Sequence, residues 1–275
     1  MSSPPSLKRT ESPALRFSDA LSYSSTLAAA IGGALSLCAS RLLGAPESGR
    51  SALLVMTGAF IVYSLDRLRD TERDSRTSPS RTAFVERHRT LLVAATGLAG
   101  FILLLGLFRA ELPTTLLCVA IGIVGLFHRR LKRRAMLKTL YVSLAWTLGL
   151  VGLPYVAAPG IVSPESATRL ATIFLVTLFA NLIASNLRDR ETEILRDRPD
   201  RALWLARFAA MSGIALAVLG TSPVARTAAW IPFAECLALF RFRPTERYGH
   251  NIVDGALLLG ALTTLLHRAL LDLGP

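Results

Sequence analysis

Leu68–Asp74 reads LRDTERD and Leu187–Glu193 reads LRDRETE, and each stretch follows directly on a long apolar run. Aligned, they set Asp70 over Asp189, Glu72 over Glu191 and Asp74 over Glu193. Each extends into a ladder of four-residue spacing, Asp66/Asp70/Asp74 and Asp189/Glu193/Asp197, which on a helix forms one acidic face. Like charges at that spacing repel, so stacking them twice beside apolar segments points to cations held there. A divalent metal with a phosphate ester is the simplest occupant.

The surrounding chain is that of a polytopic membrane protein. Of 275 residues, 52% are hydrophobic and 18% charged, with the charges bunched, and the mean hydropathy is +0.45. Apolar spans fall at roughly 20–40, 51–65, 90–108, 112–127, 139–158, 167–187, 203–220, 224–240 and 251–271. The second, fourth and eighth sit near or below the roughly 17 residues that a crossing helix needs. With nine spans, Arg41, Arg50, Arg109, Arg169, Arg226 and Arg268 lie on one side, and the other 25 of the 31 basic residues lie on the side of the N-terminus. The positive-inside rule then places the N-terminus in the cytoplasm and the C-terminus outside. In a prokaryote the location would be the cytoplasmic membrane. The net charge of +12 is explained by this topology and requires no nucleic acid, while anionic lipid and phosphorylated substrates would both be drawn to the basic face.

Residues 1–19 are rich in Ser and Pro, carry Lys8, Arg9 and Arg16, and read as a disordered cytoplasmic tail rather than a signal peptide. Residues 20–275 then form a single domain. Cys38, Cys118 and Cys236 each fall in an apolar span without a partner at metal-ligand or redox spacing, and read as small buried apolar residues. No glycine-rich phosphate loop, zinc motif or nucleophile elbow is present. Any chemistry therefore rests on carboxylates and basic groups.

The two acidic motifs follow spans two and six, four helices apart, and open on the same side, as an internal duplication would arrange them. Facing each other across a cavity, they would offer carboxylates to Mg2+, which takes one or two carboxylates, waters and phosphate oxygens and neutralises charge on a leaving group.

With both motifs in view, the chain resembles the UbiA-type intramembrane prenyltransferases, a family of nine helices with Asp-rich motifs after the second and sixth. The family's first motif, Asn-x-x-x-Asp-x-x-x-Asp, corresponds to Asp66, Asp70 and Asp74, with an acid in place of the Asn. Its second, resembling Asn-Asn-x-Arg-Asp-x-Glu-x-Asp in menaquinone-type and chlorophyll-type members, becomes Ser185, Asn186, Arg188, Asp189, Glu191 and Glu193. Family members also carry Tyr-x-x-x-Lys-Arg after span four, and here the matching positions hold His128, Lys132 and Arg133, followed by Lys138. A metal-bridged diphosphate keeps charge on its outer oxygens, which such cations meet through charge-assisted hydrogen bonds.

The resemblance implies an all-α, nine-helix membrane bundle. It implies metal on Asp66, Asp70, Asp74, Asp189 and Glu193, and a diphosphate held also by Lys132, Arg133, Lys138, Asn186 and Arg188. The activity implied is Mg2+-dependent transfer of an isoprenyl group from its diphosphate to a lipophilic acceptor of quinone or pigment type. Two alternatives stand beside it. One is a catalytically degenerate member of the fold that binds lipid or a protein partner, on the strength of the substituted motif positions. The other is a phosphatidyl-type transferase, whose single motif requires Gly and Ala-Arg at places where this chain lacks them.

Other roles compete at individual residues. Interleaved Arg67, Arg69, Arg73, Arg188, Arg190 and Arg196 would make either ladder alone a solvated, salt-bridged helix end; recurrence in one register favours a site. Arg129, Arg130 and Arg134 read as topological anchors. Glu235 and Asp254 lie within or near apolar spans, where a carboxylate needs a partner or a cavity, and both fall where they could line the same pocket. Asn181 and Asn251 stand between ligand contact and interhelical hydrogen bonding.

Overall fold

A computed structural model describes residues 13–71, 75, 78–127, 135–189, 198–220, 222–245 and 247–273; within these, the side chains of residues 13–16, 126, 127, 135 and 189 are not described. The described residues are helical, with no strand among them. In chain order the helices are α1 (Pro13–Tyr23), α2 (Thr26–Leu43), α3 (Ser48–Arg69), α4 (Pro79–Arg87), α5 (Arg89–Phe108), α6 (Leu112–Phe127) and α7 (Ala135–Thr147). They continue with α8 (Leu153–Val156), α9 (Pro164–Asp189), α10 (Pro199–Leu219), α11 (Pro223–Ala228), α12 (Trp230–Phe240) and α13 (Asp254–Leu273). A π-helical turn at Leu148–Gly152 joins α7 to α8, and another at Tyr248–Val253 leads into α13.

Among the described residues, seven helices are long and apolar enough to cross a membrane. The chain is therefore a polytopic, all-helical protein. The second expected span is not short: α3 has 22 residues. The fourth, α6, has 16, close to the lower limit for crossing. The eighth is broken into α11 and α12 at Ala229. Pro232 explains the break, since it lacks the N–H that would bond to the Ala228 carbonyl four residues back and its ring would crowd that carbonyl. Pro154 has the same relation to Leu150, and the backbone there widens into the π turn.

The first expected span also differs. It starts at Thr26, separated from α1 by Ser24 and Ser25, and the φ of 69° at Ser25 is left-handed, a conformation few non-glycine residues adopt. Helical residues 13–19 stand where the sequence suggested the end of a disordered tail; residues 1–12 lie outside the described residues.

The spans pack in the order α5, α3, α2, α13, α12, α10, α9, α7, an arc of helices around a common interior. Leu35, Cys38, Ala39, Leu150, Ile173, Phe174 and Ala261 form part of its core. Glycine permits the closest approaches: a Cβ at Gly260 would stand 2.7 Å from Ile231 Cα, so α13 and α12 touch backbone to backbone. Large apolar side chains of α5 and α6, such as Phe101, Phe108 and Leu116, are exposed, as lipid-facing residues are. Arg41 and Arg268 meet at one end of the bundle; Arg67, Arg81 and Arg188 meet at the other.

Candidate functional site

The interior holds a cavity of about 770 Å3. It runs along α3 from Leu54 to Asp70, which at 1.5 Å per residue is about 24 Å. Its lining changes chemistry over that length. Leu27, Ile31, Leu54, Val55, Leu103 and Trp146 make one end apolar, whereas Asp66, Asp70, Arg81, Lys138, Asn186 and Arg188 make the other polar.

Of the residues assigned from the sequence to metal or diphosphate, five have described side chains, Asp66, Asp70, Lys138, Asn186 and Arg188, and all five line this one cavity. They arrive from three helices. Asp66 and Asp70 come one turn apart from the end of α3, Lys138 from α7, and Asn186 and Arg188 from the end of α9. Asn186 Nδ2 donates to Thr139 Oγ1 at 2.7 Å, which ties α9 to α7 beside Lys138. Asp74, Glu193, Lys132 and Arg133 lie outside the described residues, as do Glu72, Glu191, Asp197 and His128; for Asp189, the last residue of α9, only the backbone is described.

The structure adds groups to the polar end that the motifs did not mark. Arg67, set aside in the sequence as a salt-bridge partner, is buried and lines the cavity, and its Nη1 donates to the carbonyl of Ser22 on α1. Arg81 enters from α4 and is 8% exposed. Its Nη1 lies 3.4 Å from His250 Nε2. On the other face of that ring, Nδ1 is 3.2 Å from Arg188 Nη1 and 3.3 Å from Asp254 Oδ2. If Nε2 accepts from Arg81, Nδ1 carries the proton and points it at Asp254. Asp254 is further held by Arg188 at 3.7 Å and by Asn181 Nδ2, 3.4 Å from Oδ1. Of the two intramembrane acids, Asp254 lines the cavity and Glu235 does not; Glu235 is fully buried behind it.

The signal for these residues was weak. His250 and Asp254 are one turn apart in an apolar segment, a spacing visible in the sequence, but their partners Arg81 and Arg188 are brought to them only by the fold.

α1 closes over the polar end through several ties. Asp19 pairs with Arg247 at 2.9 Å, Ser22 Oγ donates to Asn251 Oδ1 at 2.8 Å, and Tyr23 meets the His250 ring edge-on with centroids 6.2 Å apart.

Burying guanidinium groups is costly unless anions accompany them. Among the described residues, Arg67, Arg81, Lys138 and Arg188 share the polar end with the carboxylates Asp66, Asp70 and Asp254. An anionic group entering there would gain charge-assisted hydrogen bonds from side chains already desolvated. For a metal, Asp66 and Asp70, both on the cavity lining, could supply the two carboxylates that Mg2+ commonly takes from protein, with its remaining positions left to water and phosphate. Among the described residues no three His, Cys, Asp or Glu side chains cluster tightly enough to hold a metal alone.

No family model, curated protein or solved structure matches this chain.

Proposed function

We propose that the protein is a nine-helix, UbiA-type prenyltransferase, which transfers an isoprenyl group from its diphosphate to a lipophilic acceptor with Mg2+ as cofactor and its site on the cytoplasmic side. The observation that carries this reading is the single cavity with two chemistries, charged where α3 and α9 end and apolar for most of the length of α3. That is the shape and polarity of an amphiphile with an anionic head and a hydrocarbon tail.

Asp66 and Asp70 would hold Mg2+ beside the diphosphate, and Asp74, Asp189 and Glu193, assigned from the sequence motifs, would join them. The ion would supply charge neutralisation at the leaving group. Arg188, Lys138 and Arg81 meet the outer oxygens. As the allylic carbon–oxygen bond breaks, its electron pair leaves with the diphosphate, and these cations stabilise the charge that develops. Tyr63 lies one turn along α3 from Arg67, its ring centroid 6.1 Å from that of Trp146, where head gives way to tail. Their faces suit the carbocation, and the apolar walls keep water from it. An electron-rich carbon or oxygen of the acceptor donates the pair for the new bond, and its proton passes to the departing diphosphate or to water.

The substituted motif positions Asp66 and Ser185 favour one other reading, an amphiphile-binding protein of the same architecture without chemistry. Purified protein incubated with geranylgeranyl diphosphate and a quinone-precursor or pigment-alcohol acceptor separates the two. Mg2+-dependent release of diphosphate, lost in Asp70→Ala and Asp189→Ala, supports transfer; tight binding with no release over hours supports the other.

A further inference from the structure

We infer that Gly58 sets the length of tail the cavity accepts, holding open a passage that a bulky side chain would close; this rests on the amphiphile reading of the site. Gly58, Val62 and Asp66 follow one another at four-residue spacing along α3, with Asp70 next at its C-cap, and all four line the cavity. At 1.5 Å per residue, Gly58 stands about 12 Å from Asp66, and the cavity continues past it to Val55 and Leu54. A tail that reaches the inner chamber must therefore pass Gly58.

Glycine within a helix costs about 1 kcal/mol relative to alanine, so it calls for a reason. At Gly213 and Gly32 the reason is packing: a Cβ at Gly213 would meet Pro232 Cβ at 2.9 Å, and one at Gly32 would meet Trp146 at 3.0 Å. At Gly58 a Cβ would meet nothing within 4 Å, although the residue lines an interior cavity. The space it leaves is lumen. Gly122 on α6 lines the same cavity with the same empty surroundings, so two helices bare their backbone to the passage. Gly97 and Gly100 on α5 also have open space beside them, but neither lines the cavity; they provide matched controls.

The test is equilibrium binding of geranyl, farnesyl and geranylgeranyl thiodiphosphates with Mg2+ to the full chain in nanodiscs. The wild type should bind the geranylgeranyl compound at least as tightly as the geranyl one. Gly58→Phe should hold geranyl affinity within about twofold and weaken geranylgeranyl binding by at least about tenfold. Gly122→Leu should discriminate in the same direction, and Gly100→Phe should change neither. Should Gly58→Phe fail to fold, Gly58→Leu carries the same expectation. Wild-type binding of all three compounds, with both weakened equally or neither changed by the Gly58 substitutions, overturns the inference and leaves the site reading intact. No wild-type binding of any of them overturns both.

Discussion

Arg81 and His250, 169 residues apart in the chain, meet at the polar end of the cavity with Nη1 3.4 Å from Nε2. Through the same ring, Arg81 is linked to Asp254, which in turn pairs with Arg188, so one imidazole helps to position both guanidinium groups, Arg81 directly and Arg188 through the carboxylate. His250→Ala should weaken thiodiphosphate binding by about tenfold, the scale of one lost buried hydrogen bond, and His250→Gln should recover part of it. Calorimetric titration of the three proteins checks this. Equal affinities would show that the ring does not position the arginines.

Gly249 gives Arg188 its path. A Cβ at Gly249 would overlap Arg188 Cδ, in the middle of the side chain rather than at its mobile end. Gly249→Ala should therefore displace Arg188 and reduce diphosphate affinity about as much as Arg188→Ala does, and the double variant should be no worse than either single one. A double-mutant cycle in binding measures this; additive losses would refute the coupling.

Tyr63 and Trp146 are proposed to act on the transition state. A cation–π contribution of about 0.5–2 kcal/mol predicts that Tyr63→Leu slows single-turnover transfer by roughly two- to thirtyfold with substrate affinity unchanged. A change in affinity with an unchanged rate would assign the ring to binding instead.

Glu235 invites the opposite expectation. It is fully buried, and neither carboxyl oxygen has a hydrogen-bond partner among the described residues; the Asn181 amide beside it donates to Val253 and Asp254. An unsatisfied buried polar group opposes folding, and an apolar group of similar shape is neutral or stabilising there. Glu235→Met should melt at the same temperature as the wild type or a few degrees higher, with activity retained. Full stability with lost activity would give the carboxyl a role in the reaction.

The apolar spans were legible because lipid demands long runs of one chemistry, and the acidic face of α3 because helical spacing brings Asp66 and Asp70 together whatever the rest of the chain does. Helix breaks were less so: Pro154 and Pro232 sit inside continuous apolar runs, and hydropathy is blind to a missing backbone donor. Arg67 and Arg81 were illegible for another reason. Arginine near a membrane helix end ordinarily marks topology, and only the arrival of α1, α4 and the π-helical turn before α13 at this end of the cavity gives these two their inward partners. The ties of α1 to Asn251 and Arg247 likewise join opposite ends of the chain, a relationship no local pattern encodes.

The central claim, an anionic head and an apolar tail bound in one cavity with metal, is tested most directly by titrating the purified protein with farnesyl thiodiphosphate in Mg2+ and again in EDTA. The account predicts binding that weakens by at least about tenfold in EDTA, in Asp70→Ala and in Asp189→Ala. Binding indifferent to metal and to both substitutions, or no binding at all, would contradict it.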